Sequence, residues 1–348
     1  MFGRRNNDII IHIVDLANDG RGEALQSSEG LVSHIRAQPL NRHVAMSKPA
    51  IFNMMGGSRP WLPAKLAELF DVRAVPGPGI RAAATDGIRG MTAGQMDALP
   101  DLEMIAVQAV GYDKVDIAHA RTRNIRITNT PDVLTDDVAD IAIGLMLAVG
   151  RRIVALDSYV RAGRWGRERP PPLSRTISGR RIGILGLGRI GTAIARRAAP
   201  FAGELGYFAR HHKSDLPWRH FDHPVALAQW SDILIVALAG GAATAGLVDR
   251  QILDALGRDG IIVNIARGSV IDENAMVAAL QDGRLAGAGL DVFAREPLIP
   301  AALLAMDNVV LLPHQGSATI ETRDAMAQLV LDNLSAFFAE KPLLTPIF

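Results

Sequence analysis

The sequence predicts an α/β protein of two parallel-sheet domains, one inserted into the other. Three observations predict it. Strand-like and helix-like segments alternate from residue 50 onward, the rhythm of βαβ units. A glycine-rich turn, Gly186 to Gly191, joins an apolar strand to a helix and opens a second alternating series. The last long helical segment, Thr319 to Ala339, lies beyond the strands this second series needs, so it is expected to return to the first domain. A chain of 348 residues has room for two cores.

In chain order, residues 1–45 read differently from the rest. The apolar run Ile9 to Val14 is broken by His12 and closed by Asp15, too short and wrongly flanked for a secretory signal. Residues 17–45 follow no sustained period, so 1–45 is expected to be an irregular N-terminal extension, with globular structure starting near Met46. A first strand is predicted within Ala50 to Met55, and others at Val72–Val75, Ala82–Thr85, Met104–Val107 and Ile125–Thr128. Asp132 to Arg152 is predicted to be helical, with Pro131 in its first turn and Val138, Ile141, Ala142, Leu145 and Ala148 on one face. Arg161 to Ser178 breaks this pattern with Pro170, Pro171 and Pro172 and cannot be a regular helix. The second series predicts six strands: Arg181–Leu185, Glu204–Phe208, Ile233–Leu238, Ile261–Ile265, Ala288–Val292 and Val309–Leu312.

Composition excludes several function classes. With 37 Lys plus Arg against 36 Asp plus Glu, the net charge is +1, and no overall field draws the molecule to nucleic acid or membrane. The arginines at 161, 164, 167 and 169 lack the aromatic interleaving of an RNA module. No apolar run approaches the roughly 20 residues of a membrane-spanning helix. The absence of cysteine rules out disulfides, thiolate metal sites and a Cys nucleophile, and a cytoplasmic location is the expectation. His211 and His212 are adjacent rather than a helical turn apart, so no metal is expected.

The turn Gly186-Leu187-Gly188-Arg189-Ile190-Gly191 matches G-x-G-x-x-G in its required setting, after the strand Ile182–Leu185 and before a helix from Thr192. Gly186 permits the turn, Gly188 admits a pyrophosphate to the backbone, and Gly191 allows close helix-strand packing. A Rossmann-like dinucleotide site follows, with Gly186, Gly188, Arg189, Ile190 and Gly191 around the phosphates. About 20 residues on, an NAD-selective site would place an acid for the ribose hydroxyls. Here Ala209-Arg210-His211-His212-Lys213 stands instead. Arg210, helped by His211, suits the 2′-phosphate of NADP, so NADPH is expected over NADH.

Three polar side chains follow at predicted strand ends: Arg267, Glu296 and His314. Ligands bind beyond the carboxyl ends of parallel strands, so these can converge on one cleft. Reduction of a 2-keto acid needs a bidentate cation for the carboxylate, a proton donor for the developing alkoxide, and an acid that keeps the donor charged. Arg, His and Glu meet those needs in turn.

These features, with Val110 to Asp116, Thr128 to Asp140, Asn264 to Gly268, and Pro313-His314 followed by Gly316 to Thr319, closely resemble the D-isomer-specific 2-hydroxyacid dehydrogenases. The likeness is nearest to the glyoxylate/hydroxypyruvate and hydroxyphenylpyruvate reductase branch and covers about residues 47–345. It implies that Arg267 binds the substrate carboxylate and keto oxygen, that His314 is the acid/base and that Glu296 is its partner. It implies carboxylate binding by the backbone N–H groups of Val110 and Gly111, and cofactor contacts from Thr135, Ala266, Asp291 and Gly316. It further implies a substrate domain of residues 46–133 plus 319–348, an inserted cofactor domain of residues 134–318, and a homodimer with the arm around Trp165 reaching the partner. The expected reaction is NADPH-dependent reduction of hydroxypyruvate or glyoxylate to the D-2-hydroxy acid. Alternatives are a hydroxyphenylpyruvate reductase, another D-2-hydroxyacid dehydrogenase, and a cofactor-sensing protein resembling the corepressors of this family. Formate dehydrogenases carry Gln where Glu296 stands. Two departures bear on the substrate: Ala109 stands where this branch often has glycine, and Gln315 where an aliphatic residue is common.

Overall fold

The computed structural model describes residues 47–56 and 59–348. The expected extension over residues 1–45 lies outside the described residues. Five parallel strands form the first sheet: β1 (Ala50–Asn53), β2 (Asp71–Arg73), β3 (Ala82–Asp86), β4 (Met104–Gln108) and β5 (Arg126–Thr128). Their order is β2-β1-β3-β4-β5. One face packs Ile51, Ala82 and Met104 against Val330, Leu331, Leu334 and Phe337 of the helix Ile320–Phe338, so the last long helix covers the first sheet. Ile80, Ala83, Met91, Ile105, Val107, Ile125 and Ile127 fill the other face.

The second sheet has seven strands: β6 (Arg180–Leu185), β7 (Ala202–Phe208), β8 (Arg219–Phe221), β9 (Ile233–Val236), β10 (Ile261–Asn264), β11 (Gly287–Leu290) and β12 (Val309–Leu311). All pair in parallel, in the order β12-β11-β10-β9-β6-β7-β8. Ile233 to Val236 and Ile261 to Asn264 are buried throughout, as expected of strands covered on both faces. The predicted two-domain α/β architecture is therefore present. The expected count of six strands is corrected to seven: β8 is a three-residue edge, Arg-His-Phe, with no apolar run to reveal it.

The helix predicted from Asp132 starts at Thr135 instead, which leaves Pro131 outside its first turn. Asp132 adopts a left-handed φ of 69°, and this turn delays the helix. The helix ends at Gly150, and Arg152, also left-handed, leads into a second helix, Ile153–Arg161. Residues 162–179 contain neither helix nor strand, in keeping with the triple proline. Trp165 in this arm is 77% exposed, so it is no core aromatic. Among the described residues, no helix is long and apolar enough to cross a membrane.

Candidate active site

The carboxyl ends of both sheets open onto one cleft of about 1460 Å³. From the first sheet it is lined by the loops after β1 (Gly56), β3 (Asp86 to Arg89) and β4 (Gln108 to Gly111). From the second come Gly188 to Ile190 after β6, Ala237 to Gly241 after β9, Ile265 to Arg267 after β10, Asp291 after β11, and His314 after β12. This is where parallel-sheet geometry puts ligands.

The glycine turn is shaped for a pyrophosphate. Gly186 has φ +104°, and a Cβ there would lie 2.9 Å from the Ala237 carbonyl. A Cβ on Gly191 would sit 2.0 Å from the Gly186 carbonyl oxygen, which explains the close helix-strand contact. Gly188 N-caps the helix Arg189–Ala198 without any side-chain cap, and a Cβ there would meet nothing within 4 Å. The free N–H groups of this helix start therefore face open space on the cleft, the condition a phosphate requires. The residues present fit a dinucleotide.

At the second strand end, Arg210 and His211 follow β7 directly, are exposed, and make no hydrogen bond or ion pair among the described residues. Neither lines the main cleft, whereas Thr135, Ala266, Asp291 and Gly316 do. His212 leaves this group, tilting its ring against His220.

His314 and Glu296 meet. The ring Nδ1 of His314 lies 2.8 Å from Glu296 Oε2, while the Phe293 N–H donates to Glu296 Oε1 at 3.0 Å. With Nδ1 turned to a carboxylate, the tautomer that donates there leaves Nε2 for the cleft. Burial alone would raise the Glu296 carboxyl, but the His314 and Phe293 hydrogen bonds, with the charges of His314 and Arg267, hold it below the ordinary value. His314 itself has a left-handed φ of 55°, a conformation uncommon outside glycine that the surrounding loop imposes.

Asp291 supplies much of that constraint. Its carboxylate accepts from the N–H of Gln315 at 2.6 Å and of Gly316 at 2.8 Å, and its carbonyl accepts from the His314 N–H at 2.9 Å. Burial pushes the Asp291 carboxyl up against the opposing pull of those two N–H groups. The residue expected beside the cofactor thus also clamps the His314 loop. Gln315 turns away from the cleft, and its amide donates to the Pro313 carbonyl at 3.0 Å.

Arg267 is held by two bonds. Its Nε donates to Asp113 Oδ1 at 3.1 Å and its Nη1 to the Ala266 carbonyl at 2.8 Å, leaving Nη2 against Gly111. A Cβ on Gly111 would fall 1.9 Å from that Nη2, so the backbone predicted to bind carboxylate and the predicted carboxylate-binding cation are side by side. Ala109 is accommodated because Gly87 faces it; a Cβ on Gly87 would come within 2.7 Å of the Ala109 methyl. The loop is fixed from below by Asn129, whose amide donates to the Val110 carbonyl at 3.0 Å, and by the Thr130 N–H bonding the Ala109 carbonyl at 2.9 Å. Sequence reasoning assigned no role to Asp113 or Asn129, although both lie in the quoted motifs; only the fold shows what they touch. Among the described residues no group of His, Asp and Glu could hold a metal ion.

Comparison with known proteins identifies the family. The family model for the D-isomer specific 2-hydroxyacid dehydrogenase NAD binding domain matches residues 143–316. The chain is 51% identical over 271 residues to a 2-ketogluconate reductase of Gluconobacter oxydans, covering 78% of this chain and 87% of that one. It is 50% identical over 277 residues to a hydroxyphenylpyruvate reductase of Plectranthus scutellarioides, covering 80% and 88%. Among solved structures, an NADPH-dependent glyoxylate/hydroxypyruvate reductase from Sinorhizobium meliloti, in complex with NADP and malonate, superposes with a TM-score of 0.82 at 43% identity, over 86% of this chain and 97% of that one. By these likenesses the chain belongs to the D-isomer specific 2-hydroxyacid dehydrogenase family of oxidoreductases.

Proposed function

We propose that this protein reduces small 2-keto acids, hydroxypyruvate and glyoxylate foremost, to D-2-hydroxy acids with NADPH. The observation that carries the reading is the 2.8 Å His314–Glu296 pair on the cleft that Arg267 and the Val110–Gly111 loop also line. Gly186 to Gly191 would hold the pyrophosphate and Arg210 with His211 the 2′-phosphate, with Thr135, Ala266, Asp291 and Gly316 along the rest of the dinucleotide. When bound, the nicotinamide supplies the hydride.

The chain's own groups do the remainder. Arg267 Nη2 and the N–H groups of Val110 and Gly111 bind the substrate carboxylate, with the guanidinium polarising the keto oxygen. His314 Nε2 gives its proton to that oxygen as negative charge develops. Glu296 holds the ring in orientation and stabilises its charged form, and Asp291 fixes the loop on which the ring sits. Closure of the substrate half (about residues 46–133 and 319–348) on the cofactor half (134–318) would exclude water from the reacting atoms. The exposed Ile153, Val154, Val160, Trp165 and Leu173 would form part of a homodimer surface.

The NADPH preference rests on Arg210, unpaired among the described residues, standing where an NAD site would carry an acid, and the Sinorhizobium meliloti relative is NADPH-dependent. The test is spectrophotometric: NADPH and NADH oxidation against hydroxypyruvate, glyoxylate and hydroxyphenylpyruvate. Rapid NADPH oxidation with the two small acids is expected. Dinucleotide binding without reduction of any of the three would overturn the reading in favour of a cofactor-sensing protein.

A further inference from the structure

Among the described residues, five arginines line the cleft: Arg59, Arg89, Arg189, Arg267 and Arg323. Four of them are already paired. Arg59 grips Asp324 through two bonds of 2.5 and 2.8 Å, Arg89 pairs with Asp86, Arg189 with Asp132 at 2.8 Å, and Arg267 with Asp113 at 3.1 Å. Arg323 alone among these has no side-chain hydrogen bond or ion pair among the described residues.

Arg323 is also not a loosely solvated surface cation. It is half-buried, and burial lowers its guanidinium from the ordinary arginine value against the pull of Asp86. Asp86 attracts it from a distance but has no acceptor to spare. Its Oδ1 takes the N–H groups of Ile88 and Arg89, and its Oδ2 takes the Gly56 N–H and the Arg89 guanidinium. A carboxylate offers about four lone-pair sites, and all four are used. Burying a cation without a partner costs free energy, so a fold retains it where something else supplies the acceptor.

Its position says what that is. Arg323 stands in the first turn of the helix Ile320–Phe338, its N–H bonded to the Thr319 carbonyl at 3.1 Å. The chain from His314 through Gly316 to Thr319 lines the same cleft and leads directly into this helix. Arg323 therefore belongs to the first-sheet wall, with Asp86 and the Val110–Gly111 loop, on the cleft that Arg267 and His314 also line.

We propose that Arg323 is a specificity-determining residue for the reduction proposed above, on which this inference rests: its guanidinium receives an oxygen carried on the substrate's carbon chain beyond the keto carbon. The site then favours 2-keto acids with hydroxylated tails over those ending in alkyl or aromatic groups. Hydroxypyruvate and polyhydroxylated 2-keto acids have the acceptor; pyruvate, with a methyl in its place, lacks it. Glyoxylate has no tail and is indifferent to Arg323.

The experiment compares kcat/KM for hydroxypyruvate, pyruvate and glyoxylate with NADPH in the wild type, Arg323→Met and Arg323→Lys. A hydrogen bond to a charged group corresponds to roughly a 10- to 100-fold effect. Arg323→Met is expected to lose that factor for hydroxypyruvate while glyoxylate and pyruvate stay within about threefold, and Arg323→Lys to recover part of it. Retained glyoxylate turnover also shows that the variant folds. Equal losses on all three acids, or no loss on hydroxypyruvate, would overturn the inference. A wild-type protein that reduces none of the three would overturn the reductase reading itself, and that result is recognised before any substitution is made.

Discussion

Arg267 reaches across the cleft to Asp113: Nε donates to Oδ1 at 3.1 Å, tying the turn after β10 to the loop after β4. Among the described residues, this bond and the one to the Ala266 carbonyl hold the guanidinium with Nη2 against Gly111. Asp113→Ala frees it to rotate. The KM for keto acid is expected to rise about 10-fold, the scale of one charge-assisted hydrogen bond, with NADPH affinity unchanged. Steady-state kinetics and fluorescence titration of NADPH separate the two.

Gly111→Ala places a methyl where Arg267 Nη2 now lies. The guanidinium must move, and a displacement on the scale of an ångström at a reacting site costs on the order of 100-fold in rate. Keto-acid turnover is expected to fall by that order while the melting temperature stays close to wild type. Activity within threefold of wild type would show that Arg267 does not act from this position.

Glu296→Gln is expected to lower kcat, because the amide carries no charge for His314 and holds its ring less firmly. Stability adds an independent check. The Glu296 carboxyl lies below its ordinary value near 4.5, so its ionised form contributes stability that is fully present above that value and lost as pH falls through the folded value. The gap in unfolding free energy between wild type and Glu296→Gln should therefore be widest at neutral pH and narrow in acid below the ordinary value. Urea denaturation at a series of pH values measures it.

Arg210→Ala removes the exposed cation after β7. The kcat/KM for NADPH is expected to drop roughly 10- to 100-fold while that for NADH changes little, since only the 2′-phosphate distinguishes them. An unaltered ratio would take Arg210 out of cofactor selection.

Asn333 is fully buried and uses its whole amide. Its Oδ1 accepts from the N–H of Leu344 at 3.0 Å and of Thr345 at 3.3 Å, and its Nδ2 donates to the Leu329 carbonyl at 2.8 Å and to Thr345 Oγ1 at 3.0 Å. Thr345 in turn donates to the Asn129 carbonyl at 2.6 Å, and Asn129 holds Val110. Asn333→Leu removes all four bonds, takes the acceptor from the Leu344 and Thr345 N–H groups, and is expected to cost about 1–3 kcal/mol. Thermal and urea unfolding would show the loss, with a rise in keto-acid KM as the Val110 loop loosens.

The strands that the sequence shows clearly are those buried on both faces, because burial demands continuous apolar runs such as Ile233 to Val236. The edge strand β8 escaped for the opposite reason, since a half-exposed Arg-His-Phe carries no pattern. Likewise the helix after Pro131 starts at Thr135 because Asp132 turns left-handed, a choice made by its surroundings and not by its composition. In the glycine turn, Gly186 and Gly191 are legible because a positive φ at the first and a close approach to the Gly186 carbonyl at the second leave no room for a side chain, whereas Gly188 is read from the motif alone. Arg267, Glu296 and His314 are singled out in the sequence by chemical type and order, and the structure brings His314 and Glu296 within 2.8 Å.

The sequence by itself thus determined the α/β class, the dinucleotide fingerprint, the missing acid at Arg210 and the family likeness, all of which depend on local spacing and residue type. Only the tertiary structure decided which of those side chains meet. It pairs His314 with Glu296 across 18 residues, Asp113 with Arg267 across 154, and Asn129 with the Val110 loop, and among the described residues it leaves Arg323 without a side-chain partner. Such contacts join strand ends brought together by sheet order, and sheet order is set by long-range packing of apolar faces that no local pattern records.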